Sequence, residues 1–311
     1  MHAGMLETLD YAERRTRARI AELEDGVREA ADVLEAADGD LQLRVRATVE
    51  GDAIQLDFSG SAAQHDGNLN CPLAVTRSAT YFVVRCLTVP DLPASGGAYA
   101  PLSVLAEPGS LVNALPPAAV VAGNTETSSR IVDTLFRAFA GAVAAPAQGQ
   151  GTMNNLTFGN ARYTYYETIG GGQGACPDAP GQAGVHVAMS NALNTPVEAL
   201  ELAYPLRVER YVLRPRSGGK GAHDGGDGVI RCIRVLEPCR LSILAERRAH
   251  GPSGARGGEP GRPGRNLLNG EELPAKVTRA LSAGDVVTIE TPGGGGFGRP
   301  PAQPRRGADG Q

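Results

Sequence analysis

The stretch Gln150-Gly151-Thr152-Met153-Asn154-Asn155 sets side-chain amides and a hydroxyl beside flexible backbone. Tyr165-Tyr166-Glu167-Thr168-Ile169-Gly170-Gly171-Gly172 then adds phenols and a lone carboxylate. Such groups donate and accept hydrogen bonds in defined directions, which suits recognition of a polar, amide-bearing molecule. Asn154 and Asn155 are the candidate recognition residues, and His186 and Asn191 extend the same polar theme downstream. Glu167 is the candidate general base, because burial beside a water would lift its pKa toward neutrality. The competing reading is that asparagine and glycine here only form turns, a conformation both adopt readily.

Other chemistries find less support. Gly219-Lys220 has the flavour of a phosphate loop, but Gly221 stands where Ser or Thr is needed and strand-like sequence follows. The run Gly293 to Gly298 leads into Pro300 and Pro301, so no helix N-terminus is available to an anion. His65, His186, His223 and His250 form no HxH or HExxH pair, and they read as hydrogen-bonded or surface histidines, not as metal ligands. Gly-x-Ser-x-Gly is absent. The cysteines, Cys71, Cys86, Cys176, Cys232 and Cys239, make no CxxC pair and read as reduced thiols.

Several elements must position these groups. Residues 5–25 carry helical spacing and a charged face, closed by Asp25-Gly26. From Leu41 the apolar period becomes two, Glu50-Gly51-Asp52 turns, and the alternation resumes to Phe58, which predicts a hairpin. Helical spacing returns from Val75 to Leu87, and again from Thr127-Ser128, whose hydroxyls are placed to cap, through Phe139 toward Pro146. Strand-like segments follow: Asn155 to Phe158, Arg162 to Thr168, Val185 to Met189, Leu206 to Leu213, Val229 to Leu236, Leu241 to Glu246 and Val286 to Glu290. The expected fold is α+β, predominantly antiparallel sheet with a few packed helices and glycine-rich loops.

Glycine supplies 41 and proline 22 of the 311 residues, which marks a loop-rich chain, and the absence of a running Gly-X-Y period excludes collagen. Hydrophobic residues make up 41%, enough for a core in one large domain or two ordinary ones. A net charge of −4 without runs of like charge, and no Trp, argue against nucleic acid or an anionic membrane as partner. Residues 1–15 are charged and show no apolar signal region, so the expectation is a cytoplasmic protein.

A larger pattern emerges in chain order. Asp57-Phe58-Ser59-Gly60-Ser61 with Gln64 and Gly67-Asn68-Leu69-Asn70 precede Ser128-Ser129-Arg130-Ile131-Val132-Asp133, and the two polar stretches above follow. Asn194-Thr195-Pro196-Val197-Glu198, Tyr204-Pro205-Leu206-Arg207, Ser217-Gly218-Gly219 and Thr291-Pro292-Gly293-Gly294-Gly295-Gly296 complete the series. This series resembles the hydantoinase B/5-oxoprolinase family from about Leu6 to Gly298.

The resemblance implies the B-type subunit, or its downstream half, of an ATP-dependent hydrolase that opens hydantoins, 5-oxoproline or related lactams. ATP is then expected on a hydantoinase A-type partner, which would activate the amide carbonyl by phosphorylation in a hetero-oligomer. The family's divalent metal is expected to be held by an upstream His- and Asp-containing half whose ligand segments this chain lacks, so no metal residue is assigned. Residues 1–298 read as the downstream part of the family domain, with a subdivision near 146–150 and a disordered tail at 299–311. A smaller departure is His223-Asp224, where the family more often shows an aromatic residue and an arginine. The competing classes are a non-catalytic assembly module or inactive fragment supporting the A-type partner, and an acetone-carboxylase-like subunit.

Overall fold

A computed structural model describes residues 2–301. Of the expected tail, residues 302–311 lie outside the described residues. The chain opens with α1 (His2–Ile20), followed by β1 (Gly26–Ala36), β2 (Gly39–Glu50) and β3 (Ala53–Asp57). Next come α2 (Leu73–Leu87), a single turn α3 (Gly96–Tyr99), β4 (Leu102–Leu105) and α4 (Ser128–Phe139), entered through a wide turn at Gly123–Thr127. The remainder is β5 (Asn155–Gly159), β6 (Thr164–Glu167), α5 (Val197–Ala203), β7 (Leu206–Arg214), β8 (Gly228–Val235), β9 (Cys239–Leu244), β10 (Arg265–Leu268), β11 (Glu271–Leu273), β12 (Lys276–Leu281) and β13 (Val286–Glu290).

The strands form sheets ordered β1-β2-β3-β4, β11-β10-β13-β8-β7 and β12-β9-β5-β6; among these strands of the described residues β3 and β4 alone pair in parallel. This is the expected α+β architecture. In the first sheet Leu43, Val45, Ala47 and Val49 of β2 alternate inward and pack with Ile131, Leu135 and Phe139 of α4. The other sheets share a second core, in which Leu156, Phe158, Leu241 and Ile243 face Val229, Ile233, Val287 and Ile289. The fully buried members of the first core fall within residues 20–139 and those of the second within 156–289.

The local readings succeed where one face of an element is buried and fail where a distant partner decides. Val286–Glu290 is a strand with the expected bounds. Helix α4 stops at Phe139, short of Pro146, and the Thr127 and Ser128 hydroxyls do not cap it. They donate to the Leu69 and Asn124 carbonyls instead. Val185 to Met189 is not a strand, since it holds one bridge, Val185 to Gly171, and Ala188 adopts a positive φ of 56°. Strand β1, rich in Ala and Glu, pairs with β2 along its whole length, so tertiary pairing overrides helix propensity there.

The glycine clusters do more than punctuate strands. Successive N–H groups of 293–296 reach Arg262, Gly226, Gln148 and Glu259, four separate places in the chain. Positions 293 and 296 bond to 262 and 259, while 294 and 297 bond to 226 and 223, so each neighbour recurs after three residues. Three residues per turn is the repeat of the polyproline II helix. Glycines spaced i, i+3 follow the same rhythm: 171/174, 181/184, 218/221, 225/228, 258/261 and 293/296. A Cβ on Gly226 would sit 1.9 Å from the Gln182 carbonyl oxygen, and one on Gly172 would sit 2.0 Å from that of Gly226. These segments therefore form a bundle packed backbone against backbone. The Gly-X-Y rhythm that does not run through the chain is present in short pieces.

Candidate functional site

The sheet β12-β9-β5-β6 buries one face in the second core and turns the other toward an open cleft of about 570 Å³. Strand alternation assigns the faces. Asn155 and Thr157 of β5, Tyr166 of β6, Ser242 of β9 and Lys276 of β12 line the cleft, with Thr125 contributed by the turn before α4. The register places Thr157 opposite both Tyr166 and Ser242, and Leu244 opposite both Asn155 and Lys276. The wall thus sets hydroxyls, the Asn155 amide and Lys276 around Leu244, all held by backbone ladders.

Asn155 is fixed on all sides. Its Nδ2 donates to Glu126 Oε1 at 2.8 Å and to the Leu244 carbonyl oxygen at 2.8 Å, and its Oδ1 accepts from the Tyr166 hydroxyl at 2.7 Å. Glu126 is fully buried behind it, and its Oε2 has no hydrogen-bond partner. Burial pushes the Glu126 carboxyl up to about 7, although Thr152 and the Met153 N–H act against the shift. Burial and then the nearby Glu126 also raise the Tyr166 phenol above its ordinary value.

The other expected site residues lie elsewhere. Asn154, at a positive φ of 47°, is buried behind the sheet, where its Nδ2 donates to Gln150 and Ile169 and its Oδ1 accepts from Arg248. Glu167 follows Tyr166 in the strand and so faces the opposite side, in the core. There Arg231 donates to both of its oxygens, at 3.2 and 3.1 Å, and the Tyr165 hydroxyl adds a bond of 2.8 Å. A paired carboxylate in the core is not a base facing the cleft; its evident work is to hold β6 against β8. His186 joins Ser190 through Nδ1, its Nε2 is buried without a partner, and burial lowers its pKa. Asn191 is exposed on the following loop. Only Asn155 of the five reaches the cleft.

Behind the cleft runs a chain of buried charges that joins the two cores. Arg247 Nη2 binds Asp133 at 2.7 Å and Asp32 at 3.1 Å, Arg130 binds Glu246 at 3.3 Å, and Lys276 reaches Glu246 and the Glu35 carbonyl oxygen. Burial would raise the Asp32 carboxyl, but Arg130 and Arg247 outweigh it and hold the group below the ordinary range. In the sequence Arg130 and Asp133 stand out only within the family series, and nothing there marks Glu126 or Lys276. The available signal was Arg130 and Asp133, three residues apart and interleaved with Ile131, Val132 and Leu135.

The Gly219-Lys220 segment is not built to hold a phosphate. Lys220 is tied to Asp224 at 2.6 Å, and a Cβ on Gly219 would lie 2.1 Å from the Glu259 carbonyl oxygen, so that segment belongs to the bundle and cradles no phosphate. Among the described residues, no group of three or more His, Cys, Asp or Glu is arranged to hold a metal ion. His65 is satisfied by Asp38 and the Gly67 N–H, and His250 by Asp40. Burial and then Asp178 push the Cys176 thiol up, away from a nucleophilic thiolate. No helix among the described residues is long and apolar enough to cross a membrane.

Comparison with known proteins agrees with this architecture. The chain is 42% identical to 5-oxoprolinase 1 of Arabidopsis thaliana over 263 residues, covering 82% of this chain and 20% of that protein. It is 29% identical to the B-type component of a putative D-/L-hydantoinase from a Pseudomonas species, covering 96% of this chain and 55% of the other. The crystal structure of the ATP-dependent caprolactamase of Pseudomonas jessenii superposes with a TM-score of 0.84 at 24% identity, over 96% of this chain and 57% of that one. The chain thus spans between a fifth and about half of the relatives it matches. A family model described as hydantoinase B/oxoprolinase matches residues 1–300, and the chain belongs to that family.

Proposed function

We propose that this chain is the B-type part of an ATP-dependent hydrolase of cyclic amides, with hydantoins, 5-oxoproline or related lactams as substrates, and that the cleft on the β12-β9-β5-β6 sheet receives the amide. The observation that carries the reading is the meeting of Asn155 and Tyr166 with a ring of hydroxyls on one rigid sheet face. Preorganised donors and acceptors on strands, unlike those on loops, hold an amide group in one orientation. The names of relatives, a 5-oxoprolinase and the B-type component of a hydantoinase, support the substrate class and a hetero-oligomer.

An unstrained amide resists water, and phosphorylation of its oxygen would create an electrophile and a leaving group. ATP would supply that chemistry on a hydantoinase A-type partner, since the glycine segments here are occupied with one another. This chain's own contribution is to bind and orient the ring, and Glu126 holds Asn155 for that task. The same reading places the assembly in the cytoplasm.

The test is co-expression with an A-type partner and measurement of ADP formation with hydantoin or 5-oxoproline. Amide-dependent ADP formation that falls at least about tenfold in Tyr166→Phe supports the proposal. A stable complex without amide-dependent turnover would instead favour a non-catalytic assembly module.

A further inference from the structure

The hydrogen-bond directions in the cleft are not free to reverse. The Leu244 carbonyl oxygen can only accept, and it lies 2.8 Å from one end of the Asn155 amide. That end must therefore be the NH2 group, and its second N–H goes to Glu126 Oε1. The Asn155 oxygen is then left to face Tyr166, whose hydroxyl hydrogen is committed to it at 2.7 Å. What Tyr166, about half exposed at 53%, still offers the cleft is the acceptor side of its oxygen.

We infer that Tyr166 Oη is a directional acceptor that selects ligands presenting an N–H donor, and that Glu126 is a positioning residue that keeps Asn155 in the orientation enforcing this choice. The inference deepens the proposed function and rests on the cleft being the ligand site. It adds a requirement that this reading does not contain: a ring whose nitrogens are all alkylated is refused even though its carbonyls are intact. A site built around a committed hydrogen bond discriminates against the analogue that lacks the matching group.

The experiment is an NMR-detected titration of the chain with hydantoin and with 1,3-dimethylhydantoin. Hydantoin is expected to bind about tenfold more tightly, the size of one good hydrogen bond. Tyr166→Phe should bring the two within about twofold, by weakening hydantoin alone. Equal or tighter binding of the dimethyl compound to the unaltered chain, no binding of either, or an unchanged ratio in Tyr166→Phe overturns the inference. The positioning role has its own readout in exchange of the Asn155 side-chain amide protons. Exchange should stay slow in Glu126→Gln, which keeps an acceptor, and quicken in Glu126→Leu; equal rates in both would remove Glu126 from the argument. If Glu126→Leu does not fold, Glu126→Gln against the unaltered chain decides, with fast exchange in Glu126→Gln counting against the role. Loss of ADP turnover with the binding ratio intact would strike the proposed hydrolase and leave this selectivity standing.

Discussion

The two-sheet core and the glycine bundle solve the same packing problem in opposite ways. In the sheet core, Leu156, Phe158, Ile233 and Ile289 fill the space between backbones about 10 Å apart, and removal of water from side chains supplies the stabilisation. In the bundle most of the close approaches between segments are backbone against backbone. Backbones approach until the missing Cβ atoms would lie near 2 Å from a neighbour's carbonyl, and stabilisation comes from radiating N–H to carbonyl bonds. A side-chain core has some capacity to relax around a change, whereas a backbone core has no rotamers with which to do so. The cleft sits on the first kind of packing, and the bundle braces the Gln148–Thr152 segment that leads into it through bonds from Gly295 to Gln148 and from Gln150 to Gly172.

Adding a single methyl group tests the contrast most severely. Gly172→Ala and Gly226→Ala place a Cβ against backbone oxygen at 2.0 and 1.9 Å, so each is expected to leave no cooperatively folded protein, a loss above about 3 kcal/mol. Gly141→Ala, with nothing within 4 Å of the added carbon, should change stability by less than about 0.5 kcal/mol in the same urea melts. A normal melt for Gly226→Ala would show that the bundle relaxes as a side-chain core does. Next in size is Arg247→Ala at the charged seam, which removes the direct ion pair of Asp133 and leaves Asp32 with Arg130 alone, and should cost about 3–5 kcal/mol.

Legibility in the sequence follows the same division. Val286–Glu290 and the Leu41–Phe58 hairpin are plain because alternation reports a buried face, a property of neighbours in the chain. The pairing of Arg247 with Asp133 joins positions 114 residues apart and leaves no local trace. Asn155 could be picked out as a polar residue at a strand start, but nothing in the sequence says which face of β6 lines a cleft. Tyr166 and Glu167 are consecutive in a strand, so only one of them could face the cleft. The glycine clusters were visible, yet their i, i+3 rhythm is spread over separate short segments and becomes a structure only when those segments meet.

Ionisation should separate the two regions next. Main-chain bonds of the bundle do not titrate, whereas Glu126 behind the cleft sits at about 7 in the fold against an ordinary 4.5. The folded state therefore binds more protons than the unfolded chain between those values, so this group's contribution to stability is present below about pH 4.5 and is lost as pH rises through 7. Glu126→Gln removes that loss. Relative to the unaltered protein, its stability should rise between pH 5 and pH 8 by an amount on the order of 2 kcal/mol. Parallel urea midpoints at the two pH values would place the pH response elsewhere.

The smallest change completes the comparison from the other side. Ile233 is fully buried between the facing sheets, and Ile233→Val deletes one methyl group where Gly172→Ala adds one. The deletion leaves a small cavity and should cost about 1 kcal/mol in a urea melt, with the geometry of the cleft unchanged. Its side-chain neighbours Leu156, Ile243 and Val287 can shift into part of the space, which is why the cost stays near the transfer free energy of the lost group. If Ile233→Val instead unfolds the protein as Gly172→Ala is expected to, then the sheet core has no more tolerance than the bundle. Tolerance to small volume changes would then be set by the fold as a whole and not by what fills the space between its backbones.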